Sequence, residues 1–196
     1  MIKGVDSISN LSSIANTLVG QGYKFAIRYY SNPANSKRVT IAEVSTLRSA
    51  GLKVVPVYQN SHNSYDKFSA NIARTNASEA INQAKSLGQP SGTIYFAVDY
   101  DASASEIDGN ITAHFRVLKE MLYQAGYGVG VYGSGLVCRK LKENLNVSRT
   151  WLSMSSGWRE SQTYDEWDIK QTKGKTIGSI QVDENEADSI YDLGGW

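Results

Sequence analysis

The chain has 196 residues, 41% hydrophobic and 20% charged, the make-up of one globular domain. Its 20 Lys plus Arg against 19 Asp plus Glu give a net charge of +1, without the basic excess of a nucleic-acid binder. The single cysteine, Cys138, rules out an internal disulfide and Cys-rich zinc sites, two histidines leave little for a zinc hydrolase, and no apolar run approaches the roughly 20 residues of a membrane span. The opening Met1-Ile2-Lys3-Gly4-Val5-Asp6 shows no apolar core of a signal peptide.

Taken in order, residues 3–6 read as a short strand ending on an acid. Residues 11–22 carry helical apolar spacing (Leu11, Ile14, Ala15, Leu18, Val19) and stop at Gly22. A strand rich in aromatic and β-branched residues follows at 24–30. Thr40-Ile41-Ala42-Glu43 has the form of a capping box, opening a helix that Gly51 ends. Residues 52–59 are nearly all apolar, as a buried parallel strand should be. A helix at 72–87 stops at Gly88, and Thr-Ile-Tyr-Phe-Ala-Val-Asp at 93–99 is the clearest buried strand. A long helix at 106–125, a strand at 128–132 and a helix at 136–145 come next. Three further strands are predicted at 149–153, 168–171 and 179–183, without good helices between them.

Strands and helices that alternate through short Gly-containing turns imply a parallel sheet covered by helices. Eight strand candidates favour a closed barrel. An open sheet would want a Gly-rich phosphate loop after the first strand, and Asp6-Ser7-Ile8-Ser9-Asn10 is not one. At 196 residues the chain is short of the ~250 typical of such barrels. The expected fold is therefore one α/β domain over 1–196, an irregular, compact TIM-type barrel with its last helices reduced or missing.

A parallel barrel puts its active site at the C-terminal strand ends. Those ends carry Asp6, Arg28 with Tyr29, Gln59, Asp99 with Asp101, Tyr132, Trp151 with Ser153, Gln171 and Asp183. Together they describe an acidic, aromatic-lined mouth suited to sugars, with Arg28 its one cation. Asp99 and Asp101, two apart, would lie on one side of an extended segment, and one of two close carboxyls should hold its proton longer. Such an acid could protonate a glycosidic oxygen. Asp101 also has a plain reading, turning the chain before Ser103, and Asp6 reads equally well as a turn former. The cluster from Asp183 to Asp188 lacks EF-hand spacing. His62 could reach the mouth from its loop, whereas His114 has a surface or packing role by default and Cys138 reads as a buried thiol.

A resemblance rests on an ordered series: Gly4-Val5-Asp6-Ser7, Phe25-Ala26-Ile27-Arg28-Tyr29, Pro56-Val57-Tyr58-Gln59, Gly88-Gln89-Pro90, Tyr95-Phe96-Ala97-Val98-Asp99-Tyr100-Asp101, Gly130-Val131-Tyr132-Gly133-Ser134, Trp167 through Gln171, and Asp183. It resembles the glycoside hydrolase-like domain of domain-of-unknown-function family 1906, a relative of the family 25 lysozymes, which cleave the muramic acid β-1,4 bond of peptidoglycan. The resemblance implies that Asp6 matches the first-strand acid of the lysozymes, Asp99 and Asp101 their Asp-x-Glu pair, whose Glu donates the proton, and Asp183 the acid of the last strand. Asp101 is one methylene shorter than that Glu. On this footing Asp101 is expected as general acid and Asp99 as its orienting or charge-stabilising partner. Asp6 and Asp183 would position sugar or water, and Arg28, Tyr29, Gln59, Tyr132, Trp151 and Gln171 would line the site.

The expected partner is peptidoglycan or a related N-acetylated glycan, met as a monomer at the bacterial wall without metal or cofactor. The leading reading is a muramidase-like hydrolase. The alternative is a glycan-binding module that keeps the cleft without the chemistry, and a thiol hydrolase using Cys138 is a remote third.

Overall fold

A computed structural model describes residues 1–190 and 193–196. Its centre is a closed barrel of eight strands in chain order: β1 (Ile2–Asp6), β2 (Tyr23–Tyr30), β3 (Lys53–Tyr58), β4 (Thr93–Ala97), β5 (Gly128–Gly133), β6 (Arg149–Leu152), β7 (Ile169–Ile177) and β8 (Ile180–Ala187). From β1 to β7 every pairing between neighbours is parallel. The last strand departs from the all-parallel expectation: β8 runs antiparallel to both β7 and β1. The reason is local. Only Gly178 and Ser179 separate β7 from β8, and a parallel crossover needs a dozen or more residues. Gly178 takes the positive φ of 60° that the tight turn requires.

Helices cover the outside: α1 (Ala15–Gly20), α2 (Ile41–Ala50), α3 (Ala70–Ser86), α4 (Thr112–Gln124) and α5 (Gly135–Leu145). Turns replace the helix between β6 and β7, so the shortfall falls where the sequence placed it. The expected Thr40 capping box is half formed. Thr40 accepts from the Glu43 amide, but the Glu43 carboxylate leaves the helix for other partners. A complete box instead joins Ser103 and Glu106 ahead of α4.

Strand alternation divides the core in two. Phe25, Ile27, Val55, Val57, Tyr95, Trp151, Ile169 and Ala187 fill the barrel, while Ala26, Tyr30, Val54, Tyr58, Ile94, Phe96 and Leu152 face the helices. Two glycines make the large interior rings possible. Gly4 is paired with Phe25 and Gly130 with Tyr95, and a Cβ at either would lie 2.2 Å and 2.6 Å from those rings. Below them the chain end closes the barrel: Leu193 packs inside and Trp196 exchanges both backbone hydrogen bonds with Val54.

Alternation also decides the fate of Arg28. Tyr29 faces inward, so its neighbour must face out. Arg28 is 1% exposed, lies outside the barrel wall and does not line the mouth as expected. Its Nε and Nη2 donate to Glu43 of α2 at 2.6 and 3.2 Å, Nη1 to the Ser7 carbonyl, and Nη2 also to the Lys37 carbonyl at 3.3 Å. Glu43 is equally buried and accepts the Leu11 amide at 2.8 Å. The pair ties the β1–α1, β2–α2 and α2 segments together. Removing one partner strands a buried charge, which costs about 3–5 kcal/mol. Glu43→Gln is expected to destabilise the protein by that amount in urea unfolding, and to make the 32–39 loop an early site of proteolysis.

Candidate active site

Inward residues at the upper ends of the early strands enclose a cleft of about 200 Å³, together with Gln171 and Asp183, which lie within β7 and β8 rather than at the strand ends expected from sequence, because the hairpin of these two strands extends past the rim. Asp6, Tyr29, Val57, Gln59, Ala97, Asp99, Tyr132, Trp151, Gln171 and Asp183 line it, joined by Met154 and Ser155 from the loop after β6. Eight of these positions, all but Val57, Ala97 and the two loop residues, are ones the sequence assigned to the mouth, with Trp151 as floor. Trp151 is 1% exposed, so it supports the site rather than offering a stacking face. Its ring packs against Tyr132 at 4.5 Å between centroids. Tyr29 and Tyr132 keep part of their surface open.

Asp6 sits at the base. Its Oδ2 accepts from Asn185 Nδ2 at 2.7 Å and from Gln171 Nε2 at 3.0 Å, while Oδ1 accepts no hydrogen bond among the described residues. Burial pushes its carboxyl up to about 7, the Asp183 charge adds to this, and the two amides oppose it. Asp183 receives the second contact of Gln171, at 3.3 Å, and burial raises its carboxyl as well. Gln171 thus bridges two acids with its nitrogen, while its oxygen accepts from Tyr132 at 3.2 Å. Asn185 is held in turn by Trp151 Nε1, which donates to its oxygen at 2.8 Å.

Asp99 stands apart. Its Oδ2 accepts from Gln59 Nε2 at 2.9 Å, and its amide donates to the His62 carbonyl at 2.8 Å. His62 itself does not reach the mouth. It is buried beside Tyr58, Phe68 and His114, bonded to Asn76 at 2.8 Å, and burial pulls its ring down to about 3. His114 is likewise buried packing rather than surface.

Asp101 is not brought into the cleft. The strand ends at Ala97 and the backbone turns, with the Ala102 amide bonded to the Tyr100 carbonyl, so the extended geometry that would align Asp99 with Asp101 is absent. Its carboxylate instead accepts from the Arg159 amide at 2.8 Å and from Arg159 Nη1 at 2.6 Å. Cys138 is buried against the Gly133 and Trp151 carbonyls, and burial raises its thiol, so it offers no thiolate. Among the described residues no group of three or more His, Cys, Asp or Glu could hold a metal ion. No described helix is long and apolar enough to cross a membrane.

Asn185 and Lys37 belong to the site without a motif that marks them. Asn185 had one legible signal, its spacing of two from Asp183 on the same strand face. Lys37 had none. It lies in the irregular loop after β2, where its Nζ donates to Gln59 Oε1 at 3.1 Å and sits 4.7 Å from the centre of the Tyr29 ring.

The eight-stranded barrel thus carries acids and aromatics at its upper rim, the arrangement of a glycoside hydrolase-like domain. The chain belongs to the family of Rv2525c-like, glycoside hydrolase-like domains, which it matches over residues 16–189. The uncharacterized protein FadG of Bacillus subtilis is 32% identical over 92% of this chain, which spans 34% of FadG. The chain therefore covers about a third of that relative's length. The Tat-secreted Mycobacterium tuberculosis protein Rv2525c, solved with L-tartrate, shares the fold at a TM-score of 0.80 and 21% identity, over 99% of this chain and 98% of that one. The modular autolysin LytC of Streptococcus pneumoniae, solved with a synthetic peptidoglycan ligand, shares it at 0.60 and 15% identity, over 94% of this chain and 46% of that one. A muramidase from Acremonium alcalophilum does so at 0.60 and 14%, over 98% and 97%.

The raised Asp6 carboxyl has a consequence for stability. Its folded value of about 7 lies above the ordinary 3.8, so the favourable contribution is complete below pH 3.8 and is lost as pH rises through 7. At pH 8 the loss is on the order of 4 kcal/mol, at about 1.4 kcal/mol per pH unit. Asp6→Asn keeps an oxygen for the two amide donors and cannot ionise. Its thermal midpoint relative to the wild type is expected to rise from pH 4 to about pH 7 and to level off above it.

Proposed function

We propose that the protein is a muramidase-like hydrolase of N-acetylated cell-wall glycan, with Asp6 as the proton donor and Asp99 as its charge-stabilising partner. The carrying observation is the contrast between the two carboxyls in one cleft. Asp6 is buried, keeps a free Oδ1 and holds its proton to about pH 7, whereas Asp99 lies on the opposite side against Gln59. An acid that releases its proton near the working pH is the one best suited to general acid catalysis. The family, and the fold shared with a muramidase and a peptidoglycan-binding autolysin, support the choice of substrate.

In the first step the N-acetyl oxygen of the substrate attacks the anomeric carbon while the leaving glycosidic oxygen takes the Asp6 proton. Asp99 orients the acetamido nitrogen and offsets the charge that develops there. Water then opens the cyclic intermediate and returns a proton to Asp6. Gln171 and Asn185 keep the Asp6 carboxyl in place through both steps, and Tyr29 and Tyr132 provide the ring surface for the sugar. Asp183 shares Gln171 with Asp6 and tunes the donor by its charge. Asp101 acts from outside the cleft, fixing the 155–161 loop through Arg159.

A second reading rests on that same ion pair. Asp101, which the resemblance matches to the lysozyme proton donor, is ion-paired with Arg159, as a module that binds glycan without cleaving it would tolerate. Mass spectrometry of fragments released from purified peptidoglycan separates the readings. The wild type is expected to release muropeptides with reducing N-acetylmuramic acid ends, with turnover falling as pH rises through 7. Asp6→Asn and Asp99→Asn should each lose about 10²–10⁴-fold, the usual worth of general acid catalysis, while Asp101→Asn stays within tenfold of the wild type. Equal loss in Asp101→Asn and Asp6→Asn would return the donor role to Asp101. Retention on the wall with no fragments would establish the binding module.

A further inference from the structure

Among the described residues a cation sits on two of the cleft-lining side chains, and it is Lys37 rather than the Arg28 expected from sequence. Lys37 makes no ion pair among the described residues, although three carboxyls line the adjoining cleft. One hydrogen bond of its ammonium goes to the neutral Gln59 oxygen, and one side is covered by the Tyr29 ring. Both of these partners line the cleft. Burial draws the ammonium down to about 8, partly offset by Asp99. Asp99 offsets only part of that cost without touching the ammonium, and a half-buried ammonium with no direct ion-pair partner gains from a ligand that provides one.

The loop that carries Lys37 is built to hold it. The Lys37 carbonyl accepts from the buried Arg28, whose guanidinium is fixed on Glu43. The Lys37 amide donates to the Asn35 side chain at 3.2 Å, the Arg38 amide to the Asn35 carbonyl at 3.1 Å, and the Val39 amide to the Tyr29 carbonyl at 2.9 Å. The backbone is therefore tied on both sides of the lysine, and the ammonium need not be ordered afresh when a ligand arrives.

We infer that Lys37 forms a subsite for a carboxylate carried by the sugar, so that the cleft selects acidic over neutral N-acetylated glycans. This rests on the glycan reading above and adds the charge of the substrate to it. A carboxylate at the rim would take the free ammonium donors beside Tyr29, while the neutral ring faces the acids below. Two sources of such a group are chemically equivalent here. One is the lactyl carboxylate of muramic acid, which is free only where no peptide is attached. The other is a uronic acid. In the first case a reaction that cleaves the amide bond between sugar and peptide must come before this one.

Isothermal titration with three oligosaccharides of matched length tests the inference: peptide-free peptidoglycan strands, an alternating uronic acid and N-acetylglucosamine chain, and a neutral chitin oligosaccharide. The wild type is expected to bind at least one acidic chain tenfold or more tighter than the neutral one, and which chain it prefers identifies the source of the carboxylate. Lys37→Met should bring the acidic chain down to the affinity of the neutral one, and Lys37→Arg should restore most of the margin. Equal binding of acidic and neutral chains by the wild type would overturn the inference and leave the glycan reading standing. The inference is also overturned if Lys37→Met weakens both kinds of chain alike, since the lysine would then only position Gln59. Binding of none of the three would overturn the glycan reading and this inference with it.

Discussion

In a closed barrel each strand can show only every second residue to the interior, and the rest of this structure follows from that constraint. It sends Asp6, Tyr29, Gln171 and Asp183 to one cleft and Arg28 to the outer wall. It also fixes what lies beneath the cleft. The rings of Phe25 and Tyr95 fill the interior opposite Gly4 and Gly130, and Leu193 packs with them, so the cleft is a shallow cup over a dry core. Polar groups at the base of such a cup have little water to turn to, and each must find a protein partner.

Two amides meet that demand. Gln171 and Asn185 each donate with nitrogen to Asp6 and accept with oxygen, from Tyr132 and from Trp151 respectively. An amide can satisfy an acid on one side and a hydroxyl or indole on the other, and a carboxylate in its place could only accept. The result is a carboxyl that is both held still and desolvated, which keeps its proton near neutral pH. The arrangement stabilises the protein less well at alkaline pH than an ordinary core would, a cost expected at a functional site.

Cations are divided between the two sides of the wall. Arg28 is spent on structure: with Glu43 it clamps the turn after β1 and the loop after β2. That loop then presents Lys37 over Tyr29. The outer pair is rigid because its planar guanidinium is met by a carboxylate and two carbonyls, whereas the inner lysine retains free donors. On the far side of the cleft the buried His62 performs a similar service for Asp99, through its backbone carbonyl rather than its ring. Residues that the sequence offers as chemistry thus act as supports for neighbours that touch the cleft.

What the sequence by itself determined was the barrel and most of its rim. Runs such as 93–99 are too uniformly apolar to be anything but buried strand, the helices carry their own stops at Gly22, Gly51 and Gly88, and the missing helices are legible as missing periodicity. Strand ends follow from strands, so Asp6, Tyr29, Gln59, Asp99 and Tyr132 could be placed at the mouth, whereas Gln171 reaches it from within a strand that runs on to Ile177. Tertiary structure alone decided three matters. The direction of β8 depended on the two-residue turn at Gly178 and Ser179, and the wall side of Arg28 depended on the register of β2 against its neighbours. The position of Asp101 depended on where β4 stops, because one tight turn at Tyr100 exchanges Asp99 as partner for Arg159, 58 residues further along the chain. Lys37 belongs with these. Local sequence specifies spacing along a strand, but the contacts of a loop residue are set by whichever distant segments fold against it.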